Sequence, residues 1–230
     1  MIEDTVYPLG AIPVYHVKDT GFRLPTETLK ELENLPYHAV TPISEVCDMA
    51  SVTKNTNILS LNSLKEAEKI CKDYLYKYIT EICGYAETFI ITNSWLTRNK
   101  KESVGHPTHA HPNSIFSGCL YLNAGDEESS INFYPKVRLS EGFNFTYTPS
   151  IGTIYNSGEI KLSVQTGSMV LFPSSLPHSV PAKTSDTTRI ALCFNTFVKA
   201  KFGDKEYSSD VDLSNISFGN ESDNVNFKYY

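Results

Sequence analysis

Residues 105–123 read GHPTHAHPNSIFSGCLYLN, and this stretch decides the fold. Its second half, from Ser114 to Asn123, is rich in β-forming residues and follows turn-forming ones. In its first half His109 and His111 stand two residues apart. On a strand that spacing puts both side chains on one face, where both can reach a single ion. His106, three residues before His109, falls on the opposite face of a regular strand. Outward from this stretch, TFIITNSWLT (88–97), SINFY (130–134), EIKLSVQ (159–165), SMVLFP (168–173) and TRIALCFNTFV (188–198) have the same character. Short strands in series with turn residues between them predict a barrel or a two-sheet sandwich.

The first 87 residues read differently. Ile12, Val14 and His16 alternate as a short strand, and Pro25 to Leu35 reads as a helix stopped by Pro36. Residues 36–60 give mixed signals. The clearest helix runs from Leu64 to Cys83, with Ser63 and Glu66 as a capping box and Gly84 as its C′ residue. Leu64, Ala67, Cys71, Tyr74, Leu75, Tyr78 and Ile82 recur at helical spacing, so this helix is expected to pack on the sheet. From about Gly203 the chain turns polar, rich in Asp, Ser and Asn. Val211, Leu213 and Ile216 are left to dock on the body of the domain or on a second subunit, which makes a homo-oligomer one outcome.

The 230 residues suffice for one domain, read as residues 1–230, with support in 1–87, a β core in 88–198 and an extension in 199–230. A net charge of −6 disfavours a nucleic-acid partner, and the short basic run Arg98, Lys100, Lys101 reads as a solvated turn. No apolar run approaches membrane-spanning length, and the N-terminus lacks a basic and apolar leader, so a soluble cytoplasmic protein without membrane contact is expected. Five cysteines, Cys47, Cys71, Cys83, Cys119 and Cys193, have irregular spacing and form no CxxC. Cys119 and Cys193 sit in apolar strands as buried thiols.

A third histidine, His178, lies far downstream in LFPSSLPHSVP, and a barrel can bring it to the His109–His111 pair from a separate strand. Imidazoles suit iron, zinc, copper and nickel alike. Arg189 opens a strand of Ile190, Ala191, Leu192, Cys193 and Phe194. An arginine among such neighbours is costly unless an anion meets it, and its planar fork fits a carboxylate. Tyr121 can add a hydrogen bond to the same anion, and Asp186 is the alternative local partner for the arginine.

HxH-P-N-S, SGxxYLN, G-S-M-V-L-F-P-S-x-L-x-H-S-V and T-R-I-A-L-x-F-N together resemble the 2-oxoglutarate/iron(II)-dependent oxygenases, most of all their prolyl-hydroxylase-like branch from bacteria and phages. The resemblance covers residues 88–198. It implies a mainly β fold, a double-stranded β-helix (jelly roll) with supporting α-helices. It also implies Fe(II), 2-oxoglutarate and O2 as cofactors and co-substrates, with succinate and carbon dioxide released as a substrate is hydroxylated. His109 and His178 take the places of the first and last metal ligands, and Arg189 and Tyr121 those of the residues holding the distal carboxylate of 2-oxoglutarate. Ala191 stands where many members carry a small hydroxyl residue.

The family usually has Asp or Glu where this chain has His111. His111 ligates the ion itself, points away, or yields to Glu102 or Asp126; its spacing to His109 favours ligation. Asn93, Trp95 and Asn195 are candidates for the substrate pocket, and a protein or peptide residue, proline first, is the substrate suggested by analogy. Two other readings stand: a cupin-like three-histidine metalloenzyme that does not use 2-oxoglutarate, and a non-catalytic binding module.

Overall fold

β11 (Arg189–Val198) is the axis of the molecule, and its alternation explains the layers. Ile190, Leu192 and Phe194 are fully buried in one apolar cluster, while Ala191 and Cys193 belong to a second cluster on the opposite face. The first cluster is covered by helices, and the second lies against another sheet. In this computed structural model residues 10–39, 50–101, 103–125, 129–135, 150–153, 157–204, 206–207 and 209–216 are described.

In chain order the strands are β1 (Tyr15–Val17), β2 (Tyr37–Ala39), β3 (Ser51–Thr53), β4 (Phe89–Asn99), β5 (His106–His109), β6 (Phe116–Asn123), β7 (Ser129–Phe133), β8 (Ile160–Val164), β9 (Met169–Pro173), β10 (His178–Val180), β11, β12 (Lys201–Phe202) and β13 (Val211–Asp212). Seven form an antiparallel sheet in the order β1-β9-β6-β11-β4-β3-β2, and four form a second in the order β5-β10-β7-β8. The described residues are thus mainly β, with two α-helices, α1 (Thr26–Glu33) and α2 (Lys65–Lys77). All six strands read from the pattern between residues 88 and 198 are present. Gly118 on β6 leaves room for the neighbouring ring: a Cβ there would sit 2.3 Å from Phe194 Cζ.

α2 packs Ala67, Cys71 and Leu75 against the large sheet, as its stripe predicts, but both of its ends differ from expectation. Ser63 lies in a 3-10 turn (Asn62–Leu64), no side chain caps the helix, and α2 starts at Lys65. Burial of Leu64 takes precedence over the capping box. At the other end a π-helical turn (Tyr78–Ile82) replaces regular helix, with the Cys83 N–H donating to the Tyr78 carbonyl at 2.9 Å. The wider turn buries both Tyr78 and Ile79 and rotates Ile82 out to 41% exposure. Tyr78 anchors it by donating to the Pro13 carbonyl at 2.8 Å and meeting the Phe116 ring edge-on. Gly84, at φ +75, ends the turn where expected.

Arg98 is not part of a solvated turn. Its guanidinium lies 4.0 Å over the Tyr37 ring and donates to the Glu33 carbonyl at 2.7 Å. Near the C-terminus β12 pairs with β13, and the Leu213 N–H donates to the Ala200 carbonyl at 2.9 Å, so residues up to Ile216 fold back on the end of β11. Leu213 and Ile216 are half-buried and Val211 is exposed. Among the described residues no helix is long and apolar enough to cross a membrane.

Candidate metal centre

The inner faces of the two sheets enclose a cavity of about 650 Å³, lined by alternate residues of β4, β6 and β11 on one side and by β5 and β10 on the other. β10 lies beside β5 with His178 directly opposite His109, so two histidines distant in sequence become cross-strand neighbours. His111, just beyond β5, joins them: its backbone N–H donates to the Ser174 carbonyl at 2.9 Å. The ligand atoms of His109, His111 and His178 all lie within 4.8 Å of one another. Ring centroids are separated by 4.4 Å (His109–His178), 4.9 Å (His111–His178) and 5.3 Å (His109–His111). Glu102 and Asp126, the carboxylates that could have replaced His111, lie outside the described residues.

The hydrogen bonds leave one nitrogen of each ring free. His109 Nδ1–H donates to the Pro107 carbonyl at 2.8 Å, and His178 Nδ1–H to the Leu176 carbonyl at 3.0 Å. A carbonyl oxygen only accepts, so each Nδ1 carries the proton and each Nε2 keeps its lone pair. His111 Nδ1 lies 2.7 Å from Asn195 Oδ1, which has the same consequence. Three imidazoles offering Nε2 from one side suit a transition-metal ion and leave its other positions open.

Arg189 sits in the same cavity. It is 5% exposed, and its hydrogen bond is to the Ser130 carbonyl at 3.4 Å. No carboxylate among the described residues pairs with it; Asp186, the local candidate, pairs instead with Lys101 at 2.7 Å. Tyr121, directly opposite Ala191 on the neighbouring strand, is also buried against the cavity. Burial and the nearby Cys119 hold its phenol well above the ordinary value, so it stays an O–H donor. Cys119 and Cys193 are buried thiols, as read from the sequence, with their sulfurs 3.2 Å apart across β6 and β11.

His106 departs from expectation. On a regular strand it would face away from His109, but the β5–β10 register shifts between the His178 and Val180 pairs. This bulge brings His106 into the cavity, 6.3 Å from His109 by ring centroids. Gly105 makes the close approach feasible, since a Cβ there would lie 2.1 Å from the Val180 carbonyl oxygen. His106 Nε2 is buried without a hydrogen-bond partner among the described residues. Asn93, Trp95 and Asn195 line the cavity too, with the Trp95 ring 5.6 Å from that of His111. Ser117, which donates to Asn195, and Ser174, which contacts Ser117, carry no sequence signal because isolated serines in strands are common.

Burial lowers the imidazole pKa values: to about 3 for His178 and His106 and to about 4 for His111. Unfolded imidazoles titrate near 6.5. Between these values the unfolded chain takes up protons that the folded chain refuses, so stability present above pH ~6.5 drains away as pH falls toward 4. The metal-free protein is expected to show a falling urea midpoint from pH 7.5 to pH 4.5. A midpoint flat over that interval would mean that the rings are hydrated and not packed as described.

Residues 93–195 match the family model described as "Putative 2OG-Fe(II) oxygenase". Every residue of the centre falls inside that match. The match covers less than half of the chain. Solved structures with the same fold include the non-heme α-ketoglutarate-dependent epimerase SnoN from nogalamycin biosynthesis, 12% identical with a TM-score of 0.59 over 94% of this chain and 89% of that one. The carbocyclase SnoK from the same biosynthesis is 13% identical, with a TM-score of 0.52 over 83% and 81%. A 2OG-Fe(II) oxygenase-family oxidoreductase from Burkholderia pseudomallei is 11% identical, with a TM-score of 0.50 over 74% and 75%. No curated protein matches the chain in sequence.

The side chains fit the two groups named in the matched model's description, 2-oxoglutarate and Fe(II). Three imidazoles share one proton arrangement with Nε2 free, and a buried guanidinium and an imidazole nitrogen unpartnered among the described residues share their cavity. The described lining contains no carboxylate, so a divalent ion and Arg189 would both call for an anionic ligand.

Proposed function

We propose that this chain is a 2-oxoglutarate- and Fe(II)-dependent dioxygenase that hydroxylates an organic substrate, folded as a double-stranded β-helix. His109, His111 and His178 hold the iron, and Arg189 and Tyr121 hold the far carboxylate of 2-oxoglutarate. The observation that carries the reading is a buried guanidinium with no carboxylate partner among the described residues, in the same cavity as three imidazoles prepared as ligands. When bound, iron and 2-oxoglutarate supply the oxidising chemistry, using O2 and releasing succinate and carbon dioxide.

The chain's own part is positioning and charge. Arg189 forms a paired contact with one carboxylate, and the Tyr121 hydroxyl donates to the same group. This fixes the co-substrate's other end toward the imidazoles. Because three neutral imidazoles leave the ion's charge unreduced, a dianionic co-substrate is bound more strongly here than at a site containing a carboxylate ligand. Trp95 and Asn93 line the way to the metal centre and exclude water beside the substrate.

The prolyl-hydroxylase-like resemblance favours a protein residue as substrate, proline first. The structural neighbours include an epimerase and a carbocyclase, so this fold also serves outcomes other than hydroxylation. A cupin-like three-histidine enzyme would explain His111 but would leave Arg189 buried for no purpose.

The test is calorimetric titration of 2-oxoglutarate into anaerobic, Fe(II)-loaded protein, followed by admission of O2 and measurement of succinate. Saturable one-to-one binding and succinate production, accelerated by a peptide panel, are expected. A protein that takes up Fe(II) but not 2-oxoglutarate would be a metalloprotein of another kind.

A further inference from the structure

An imidazole in the place of a carboxylate has a requirement that a carboxylate does not. Either oxygen of a carboxylate can meet a metal ion, whereas an imidazole must be both aimed and set in one tautomer. His109 and His178 are set by backbone carbonyls, which no substitution removes. His111 is set by side chains alone.

These side chains form a chain of hydrogen bonds running into the sheet. Asn195 Oδ1 lies 2.7 Å from His111 Nδ1, and Ser117 Oγ lies 2.8 Å from the same nitrogen. Ser117 Oγ donates to Asn195 Oδ1 at 2.8 Å and lies 2.7 Å from Ser174 Oγ. Ser174 Oγ is in turn 2.7 Å from Ser114 Oγ, which donates to the Phe116 carbonyl at 3.0 Å. Asn195 and Ser117 are directly opposite on β11 and β6, so the sheet register builds the pair. Ser117 and Ser174 are completely buried. Hydroxyls in such a place are costly unless each is satisfied, and a fully connected network is correspondingly rigid. This network reaches the cavity at His111.

Resting on the metal reading above, we propose that Asn195, held by Ser117 with Ser174 behind it, is the positioning residue that makes His111 a metal ligand. Its amide oxygen accepts the Nδ1 proton, keeps the Nε2 lone pair free and holds the ring toward His109 and His178. Asn195 then is no substrate contact. It supports the third ligand, in the role that backbone carbonyls play for the other two.

Two measurements on metal-loaded protein test this without turnover: Fe(II) affinity under anaerobic conditions, and the number of imidazoles around Cu(II) from pulsed electron paramagnetic resonance. Asn195→Leu is expected to weaken Fe(II) by roughly 10–100-fold and to reduce the imidazole count from three to two. Asn195→Asp, whose oxygens only accept, should restore wild-type affinity or better. Ser117→Ala should move both readouts in the same direction as Asn195→Leu, by less.

Wild-type affinity with three imidazoles in Asn195→Leu would overturn the proposal, and so would Asn195→Asp as weak as Asn195→Leu. Should the leucine variant fail to fold, Ser117→Ala decides: unchanged affinity and imidazole count would overturn the proposal. Wild-type protein that binds neither ion would instead sink the metal reading and this inference with it.

Discussion

Arg189→Met is expected to lose 2-oxoglutarate while leaving the metal-free protein at least as stable as the wild type. In the free protein the guanidinium is 5% exposed, with a 3.4 Å hydrogen bond to the Ser130 carbonyl and no carboxylate among the described residues. A buried charge so poorly compensated contributes little to the fold, and an apolar side chain of similar volume in its place is neutral or stabilising. In the proposed complex the same group would gain a bidentate carboxylate. Losing one partner of such a buried pair costs about 2–5 kcal/mol, a loss of affinity from about thirtyfold to several thousandfold. Calorimetry with Fe(II)-loaded protein and urea denaturation of the metal-free protein read the two effects separately. Affinity within a few-fold of wild type would remove the co-substrate role. A fall in stability of about 3 kcal/mol or more would show that the arginine serves the core.

The second large effect concerns the metal ligands. On the proposed reading, His178→Ala is expected to lower Fe(II) affinity by more than the roughly hundredfold that a lost supporting partner costs, because a ligand itself would be removed. The backbone around it should remain intact, since β10 stays paired to β5 and β7 through main-chain bonds. His111→Asp should keep Fe(II), because a carboxylate there needs no tautomer and lowers the net charge of the site. A strong gain in Fe(II) affinity in His111→Asp would show instead that the histidine is a bystander in the wild type. Retained affinity in His178→Ala would place the ion elsewhere.

The strands from residue 88 to 198 were readable in the sequence because half-buried strands alternate, and alternation is a local signal. The His109–His111 pair was named from strand spacing, but β5 ends at His109 and His111 is placed beyond it by its backbone bond to Ser174. The ends of α2 were not: Leu64 and Tyr78 are placed by what they pack against, and this outweighs a capping box and regular helical spacing. The side on which His106 lies was misread because a bulge depends on how two strands pair, which one strand's sequence does not state.

What the sequence determined by itself was therefore the β architecture of the core, the residue types of the centre and the improbability of a lone arginine among apolar neighbours. Only the tertiary structure decided that His178 lies opposite His109, that Arg189 finds no partner in Asp186, and that Asn195, at the cavity wall, hydrogen-bonds to His111. The reason is physical. Alternation and burial are carried by neighbours along the chain, whereas register, tautomer and charge pairing are set by groups that meet only when separate strands come together.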